Sequence, residues 1–181
     1  MTQSVNIAKV HNMVWNFRAL YGGLWPTPDR VDALRFALCE SAEAMDAWLR
    51  GQPRFNRNRA KDLDVLDELA DTAIMLLTAL GYEVQRGAVE RAPVDLDVIC
   101  GEVGFVFRCA FKGFSQTFLE RAIRETVGDI ALYPGMDLEE RIAKRLERIR
   151  LRVMGQGLVP LSHTGPSLTE VMAGYADGLG G

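Results

Sequence analysis

The stretch AKDLDVLDELADTAIMLLTAL, residues 60–80, decides the fold. Its apolar residues Leu63, Leu66, Leu69, Ala73, Leu76, Leu77 and Leu80 recur three and four apart, the spacing that lines one face of a helix. Gly81 follows as a C′ residue, where the absence of a Cβ lets the chain turn away. The same periodicity runs through nearly all of the chain. Val10, Val14, Phe17, Leu20 and Tyr21 make an earlier stripe that stops at Gly22-Gly23. A second helix is expected from about Asp29 to Arg50, with Leu34, Leu38, Met45 and Leu49 on its apolar side. Three more are expected at Leu96 to Ala110, Gln116 to Tyr133 and Asp137 to Met154, separated by Gly113 and Pro134-Gly135. No strong alternating pattern predicts a strand. The fold class is therefore all-α, a helical bundle of about five to six helices spanning residues 1–154. Residues 155–181, interrupted by Pro160 and Pro166 and rich in Gly, read as an extension with room for one short helix near Leu168 to Tyr175.

Composition narrows the function classes. The chain has 181 residues, 48% hydrophobic and 25% charged, an ordinary balance for one folded domain. A net charge of -3 disfavours a nucleic-acid polymer as partner, because a phosphate backbone needs a cationic excess. Cys39, Cys100 and Cys109 carry no zinc-like spacing and are expected as small core residues in a reducing compartment. Neither a secretory signal nor a run of roughly 20 apolar residues is present. The expectation is a cytoplasmic protein with no membrane partner.

Chemistry enters with the acids. Glu40 and Glu43 are three apart on the second expected helix, and Glu68 and Asp71 are three apart on the third. That spacing puts each pair on one face, a turn apart, and two antiparallel helices can bring the pairs together. Four converging carboxylates repel one another and call for a hard cation with oxygen ligands, Mg2+ first and Mn2+ as a substitute. The alternative is a solvated acidic face, since Asp62, Asp64 and Asp67 make this helix acidic anyway.

LCESAEAM at 38–45 and DELADTAIMLL at 67–77, with 24 residues between Glu43 and Glu68, together resemble the MazG-like, or all-α nucleoside triphosphate pyrophosphatase, superfamily. Its mark is ExxE on one helix and ExxD on the next, and the resemblance covers about residues 8–82. It implies hydrolysis of a nucleoside triphosphate to the monophosphate and pyrophosphate, in nucleotide-pool metabolism. It implies that Glu40, Glu43, Glu68 and Asp71 are the catalytic metal ligands, and that the chain is a homodimer or homotetramer. Two departures stand out. Cys39 occupies a position where many relatives carry an acid able to serve as general base, leaving a metal-bound hydroxide, Asp67 or Asp64 for that role. The Asn and Lys that relatives use for phosphates have no evident counterpart.

Basic candidates for the phosphates are Arg50, Arg54, Arg57, Arg59 and Lys61 before and at the start of the third helix, and Arg141, Lys144, Arg145, Arg148, Arg150 and Arg152 on the last. Lys61, two turns before Glu68, and Lys144 lead, with Lys112 as a further possibility. The competing reading for Lys144 is an i,i+4 surface pair with Glu140. Trp15, Tyr21, Trp25, Trp48 and Phe55 could stack on a base, and Asn12, Asn16, Asn56 or Asn58 could bond its edge; Trp15 also fits the core. His11 reads as a surface or capping residue. Within the superfamily a deoxyuridine triphosphatase and a phosphoribosyl-ATP pyrophosphatase share the same acids, although the latter is usually shorter. A non-catalytic helical interaction module is the reading from a different class. Finally, LDELADTAIML (66–76) loosely parallels RETVGDIALYP (124–134), which sets Asp129 opposite Asp71 and hints at a degenerate duplication.

Overall fold

The computed structural model describes residues 2–22, 27–51, 64–82 and 87–155. Among them are six helices, α1 (Ala8–Tyr21), α2 (Arg30–Gly51), α3 (Val65–Leu80), α4 (Leu96–Phe111), α5 (Gln116–Ala131) and α6 (Leu138–Gly155). The described residues are all-α apart from one ribbon, in which β1 (Gln3–Val5) pairs antiparallel with β2 (Val89–Arg91), Gln3 opposite Arg91. Three-residue strands are too short for an alternating pattern to register, which is why the sequence gives no sign of them. None of the described helices is long and apolar enough to cross a membrane. Lys61 and the loop residues Arg54, Phe55, Asn56, Arg57, Asn58 and Arg59 lie outside the described residues, as do Trp25 and residues 156–181.

Helix ends follow local chemistry. Asp64 caps α3, its side chain accepting from the Leu66 amide at 2.9 Å. Gly81 leaves α3 at φ 89°, a left-handed conformation that costs glycine little.

Helix α2 contacts α3 more extensively than any other pair of elements. Its buried stripe is mostly small, Ala33, Ala37, Ser41, Ala44 and Ala47, and meets Leu69, Ala70, Ala73, Leu76 and Leu77 of α3. Small side chains let two helices approach closely, so short acidic side chains on both can reach one another. The pair is antiparallel. Arg30 at the start of α2 donates to the Ala79 carbonyl near the end of α3 at 3.0 Å, while Glu40, mid-helix, meets the first turns of α3. Helix α4 packs on α2, α5 on α3, and α4 on α5, closing a four-helix bundle; α1 and α6 pack on α3 and on each other. The core, including Phe17, Leu34, Leu76, Ile99, Ile123, Val127, Ile142 and Leu146, is continuous through all six helices.

His11 is buried, not at the surface, and its Nε2–H donates to the Gly81 carbonyl at 2.8 Å. It thereby satisfies a carbonyl just past the C-terminal end of α3. The cysteines divide: Cys109 is buried, Cys100 is half-buried with its thiol on the Ser41 carbonyl, and Cys39 is exposed on α2 rather than in the core.

Candidate metal centre

Side-chain oxygens of Glu40, Glu68 and Asp71 all lie within 4.8 Å of one another. Opposite oxygen ligands of a six-coordinate magnesium stand about 4 Å apart, so the spacing suits a small cation. Glu68 is only 6% exposed, and Glu40 and Asp71 are half-buried. Among the described residues, neither Glu40 nor Glu68 carries a hydrogen bond or ion pair on its carboxylate. Burial, reinforced by the like charges of Asp71, Glu43 and Glu68, pushes Glu40 up to about 7. Burial and Asp71 raise Glu68 as well, against the pull of Arg145. Carboxylates this close, and this reluctant to ionise together, fit a divalent cation. Glu43, one turn on from Glu40 and exposed, is not one of the three converging groups, yet its charge raises both glutamates.

The positive charge beside this cluster comes from α6. Arg145 grips Asp71 with both prongs, Nε to Oδ1 at 2.7 Å and Nη2 to Oδ2. It also stands 3.7 Å from Asp67. Arg141 and Arg148, one turn to either side, bond Asp67 at 2.7 and 3.0 Å, and Arg141 also reaches Asp64 at 2.9 Å. Burial would raise Asp67, but the hydrogen bonds from Arg141 and Arg148 outweigh it and hold this carboxyl low. A carboxylate so stabilised in its charged form is a weak proton acceptor while Arg141 and Arg148 hold it; Asp64 is engaged at its cap and by Arg141.

Lys144 is not part of this arrangement. It pairs with Glu140 one turn back, both side chains about 60% exposed, as an i,i+4 surface pair. Arg145, the next residue, points a third of a turn around the helix and meets the acids instead. Trp15 is also placed elsewhere. Its indole donates to the Leu77 carbonyl at 3.1 Å and its ring stands edge-on to Tyr82. Leu77 lies six residues beyond Asp71, or about 9 Å along the helix, so Trp15 packs at the far end of α3. Asn16, its neighbour, is half-buried on α1. Tyr21 packs at a tilt against Phe17, centroids 4.8 Å apart.

A second acidic cluster was not visible in the sequence. Asp129 of α5, fully buried, receives Arg91 from β2, Nε to Oδ1 at 2.7 Å and Nη2 to Oδ2. Arg91 also bonds Glu102 of α4 at 2.8 Å and stands 4.0 Å from Glu125. Gly128 makes this approach possible, because a Cβ there would sit 2.7 Å from Val89 Cγ2 and 3.0 Å from Arg91 Cγ. No sequence period connects a three-residue strand to α4 and α5.

Comparison with protein-family models, with curated proteins and with solved structures returned no match for this chain.

Proposed function

We propose that this chain is a magnesium-dependent nucleoside triphosphate pyrophosphohydrolase that converts a (d)NTP to the (d)NMP and pyrophosphate. The observation that carries the reading is the convergence of Glu40, Glu68 and Asp71 across the α2–α3 contact. These are three of the four acids in the ExxE and ExxD pattern. They would hold the cation, with Glu43 at the rim through a bound water. Bound there, magnesium supplies polarisation of phosphate oxygens and a lowered pKa for the attacking water.

The chain's own residues account for the rest. Arg141, Arg145 and Arg148 form a cationic face beside the acids, the basic cluster that stands in for the relatives' Asn and Lys. With Asp67 held low and Cys39 a poor substitute for a carboxylate, neither would serve as general base, and the proton of the attacking water would pass to solvent. The enzyme acts in cytoplasmic nucleotide-pool metabolism as a homodimer or homotetramer. Exposed Phe105, Phe111, Phe114 and Phe118 at the α4–α5 end offer the kind of apolar surface that association covers.

One observation favours a different class. Because Asp71 already has a full counter-charge in Arg145, the acids could serve as a staple between α3 and α6 in a non-catalytic module. A panel of natural and modified triphosphates with magnesium, dUTP included, separates the two. Pyrophosphate and monophosphate as products support the enzyme, and a strong preference for dUTP makes it a deoxyuridine triphosphatase. Release of orthophosphate alone, or no turnover with any triphosphate, sinks the proposal.

A further inference from the structure

Arg145 has two roles open to it, and the geometry distinguishes them. As a mere staple it would be interchangeable with Arg141 and Arg148, which join α6 to Asp64 and Asp67. Those two already satisfy Asp67, so Arg145 is not needed there. Both of its short contacts go to Asp71, an acid of the converging trio. One guanidinium cannot neutralise Glu40, Glu43, Glu68 and Asp71 together, and it occupies the carboxylate that a cation would use.

We propose that Arg145 is a resident counter-ion that yields Asp71 to the divalent cation and transfers its own guanidinium to the substrate triphosphate. The inference rests on the pyrophosphohydrolase reading and deepens it. A free divalent ion arriving alone must strip Arg145 from Asp71 and leave two cations side by side, which opposes binding. A cation that arrives on a triphosphate brings an anion for Arg145 to bond, with Arg141 and Arg148 on the same face of α6 to extend the cradle. The site therefore favours the metal–triphosphate complex over the bare metal, and Arg145 sets that preference.

The test is calorimetric titration of the full-length protein and of Arg145→Gln, first with MnCl2 alone and then with preformed manganese–tripolyphosphate. The two affinities are expected to move in opposite directions. Free manganese should bind about tenfold more tightly to Arg145→Gln, because its competitor is gone, and the tripolyphosphate complex about tenfold more weakly. Arg145→Lys keeps the charge without the two-pronged grip, guards against a folding defect and should fall between them. A purely structural role would shift both affinities in the same direction or neither, and either result overturns the inference. Equal manganese affinity in wild type and variant overturns it while leaving the metal site standing. Failure of the wild type to bind either manganese alone or manganese–tripolyphosphate defeats the enzymatic reading and this one with it.

Discussion

Asp129 on α5 is held by Arg91 in the same two-pronged manner in which Asp71 on α3 is held by Arg145. The two aspartates are also the residues that the loose internal repeat sets opposite one another. Each stands on the second helix of a pair, α2–α3 or α4–α5, and each receives an arginine from outside its pair. The sites then diverge. Asp129 is fully buried beneath the ribbon, and Gly128 lets Val89 and Arg91 close over it. Asp71 keeps some exposure, and Glu40 and Glu68 beside it have no partner of their own among the described residues. Of the two loosely parallel helical pairs, one has its aspartate sealed by a strand and the other leaves its aspartate open.

The sealed copy should behave as structure. Asp129→Asn leaves the Arg91 charge half-satisfied by Glu102 and should destabilise the fold by about 2–3 kcal/mol. Gly128→Ala drives a methyl into Val89 and Arg91 and should cost about 1–3 kcal/mol. Both are read from urea midpoints at unchanged slope. Neither should alter divalent-cation binding.

Stability against pH carries a definite sign. Glu40 and Glu102 are each raised to about 7, both chiefly by burial. A carboxyl whose folded pKa lies above its unfolded value binds more protons in the folded state. Its stabilisation is full below about pH 4.5 and is lost as pH rises toward 7. Asp67 and Glu147 are lowered, so they act in the opposite sense, and their contribution is lost only at more acidic pH. Metal-free protein should therefore be more stable at pH 5 than at pH 7.5, with Glu40 contributing on the order of 1–2 kcal/mol after solvent screening. Glu40→Gln should flatten the Glu40 share of that slope. Magnesium at pH 7.5 should restore the stability in wild type alone.

Helix positions were legible because apolar residues recur at helical spacing and Gly or Pro separates the segments, although the central α3 is buried on nearly every side from Thr72 to Leu80. The expected bounds of α4 and α5 differ from the observed ones by at most two residues. The convergence of Glu40, Glu68 and Asp71 was legible because i,i+3 spacing fixes which acids share a face. What stayed hidden depends on rotation between helices. Nothing in α6 distinguishes Lys144 from Arg145 until its orientation against α3 is known; the structure pairs Lys144 with Glu140 and sets Arg145 on Asp71. The Arg91–Asp129 pair was hidden more deeply, since it spans a strand too short to have a period. His11 takes the capping role of its two expected roles rather than the surface one, and its burial was hidden because it depends on a backbone carbonyl at Gly81, seventy residues away.

The four acids should not weigh equally. Glu40, Glu68 and Asp71 converge directly, whereas Glu43 is exposed at the edge. Manganese should raise the unfolding midpoint of the wild type in proportion to occupancy. Glu40→Gln, Glu68→Gln and Asp71→Asn should abolish that rise and lower turnover by about a hundredfold or more. Glu43→Gln should retain part of the rise and lose about tenfold in turnover, as expected for a group acting through water. Equal losses from all four would place Glu43 inside the cluster with the others.

Cys39 offers the one gain of function. It precedes Glu40 on α2 and is exposed, so a larger polar side chain there meets no core. In the family that the pattern resembles, an acid at this position could accept the proton of the attacking water. A thiol is a poor substitute for a carboxylate in that role. A carboxylate at position 39 would sit about a third of a turn from Glu40 on the exposed side of α2, and the longer glutamate side chain is chosen to span that offset. Cys39→Glu should therefore raise turnover about tenfold or more, measured as pyrophosphate release at saturating magnesium. It should also steepen the acid limb of the pH–rate profile by adding a group that must be ionised. Cys39→Ser, of similar size and without a base, should leave both unchanged. If Cys39→Glu matched wild type in rate and in pH profile, proton transfer would be assigned to the metal-bound water alone.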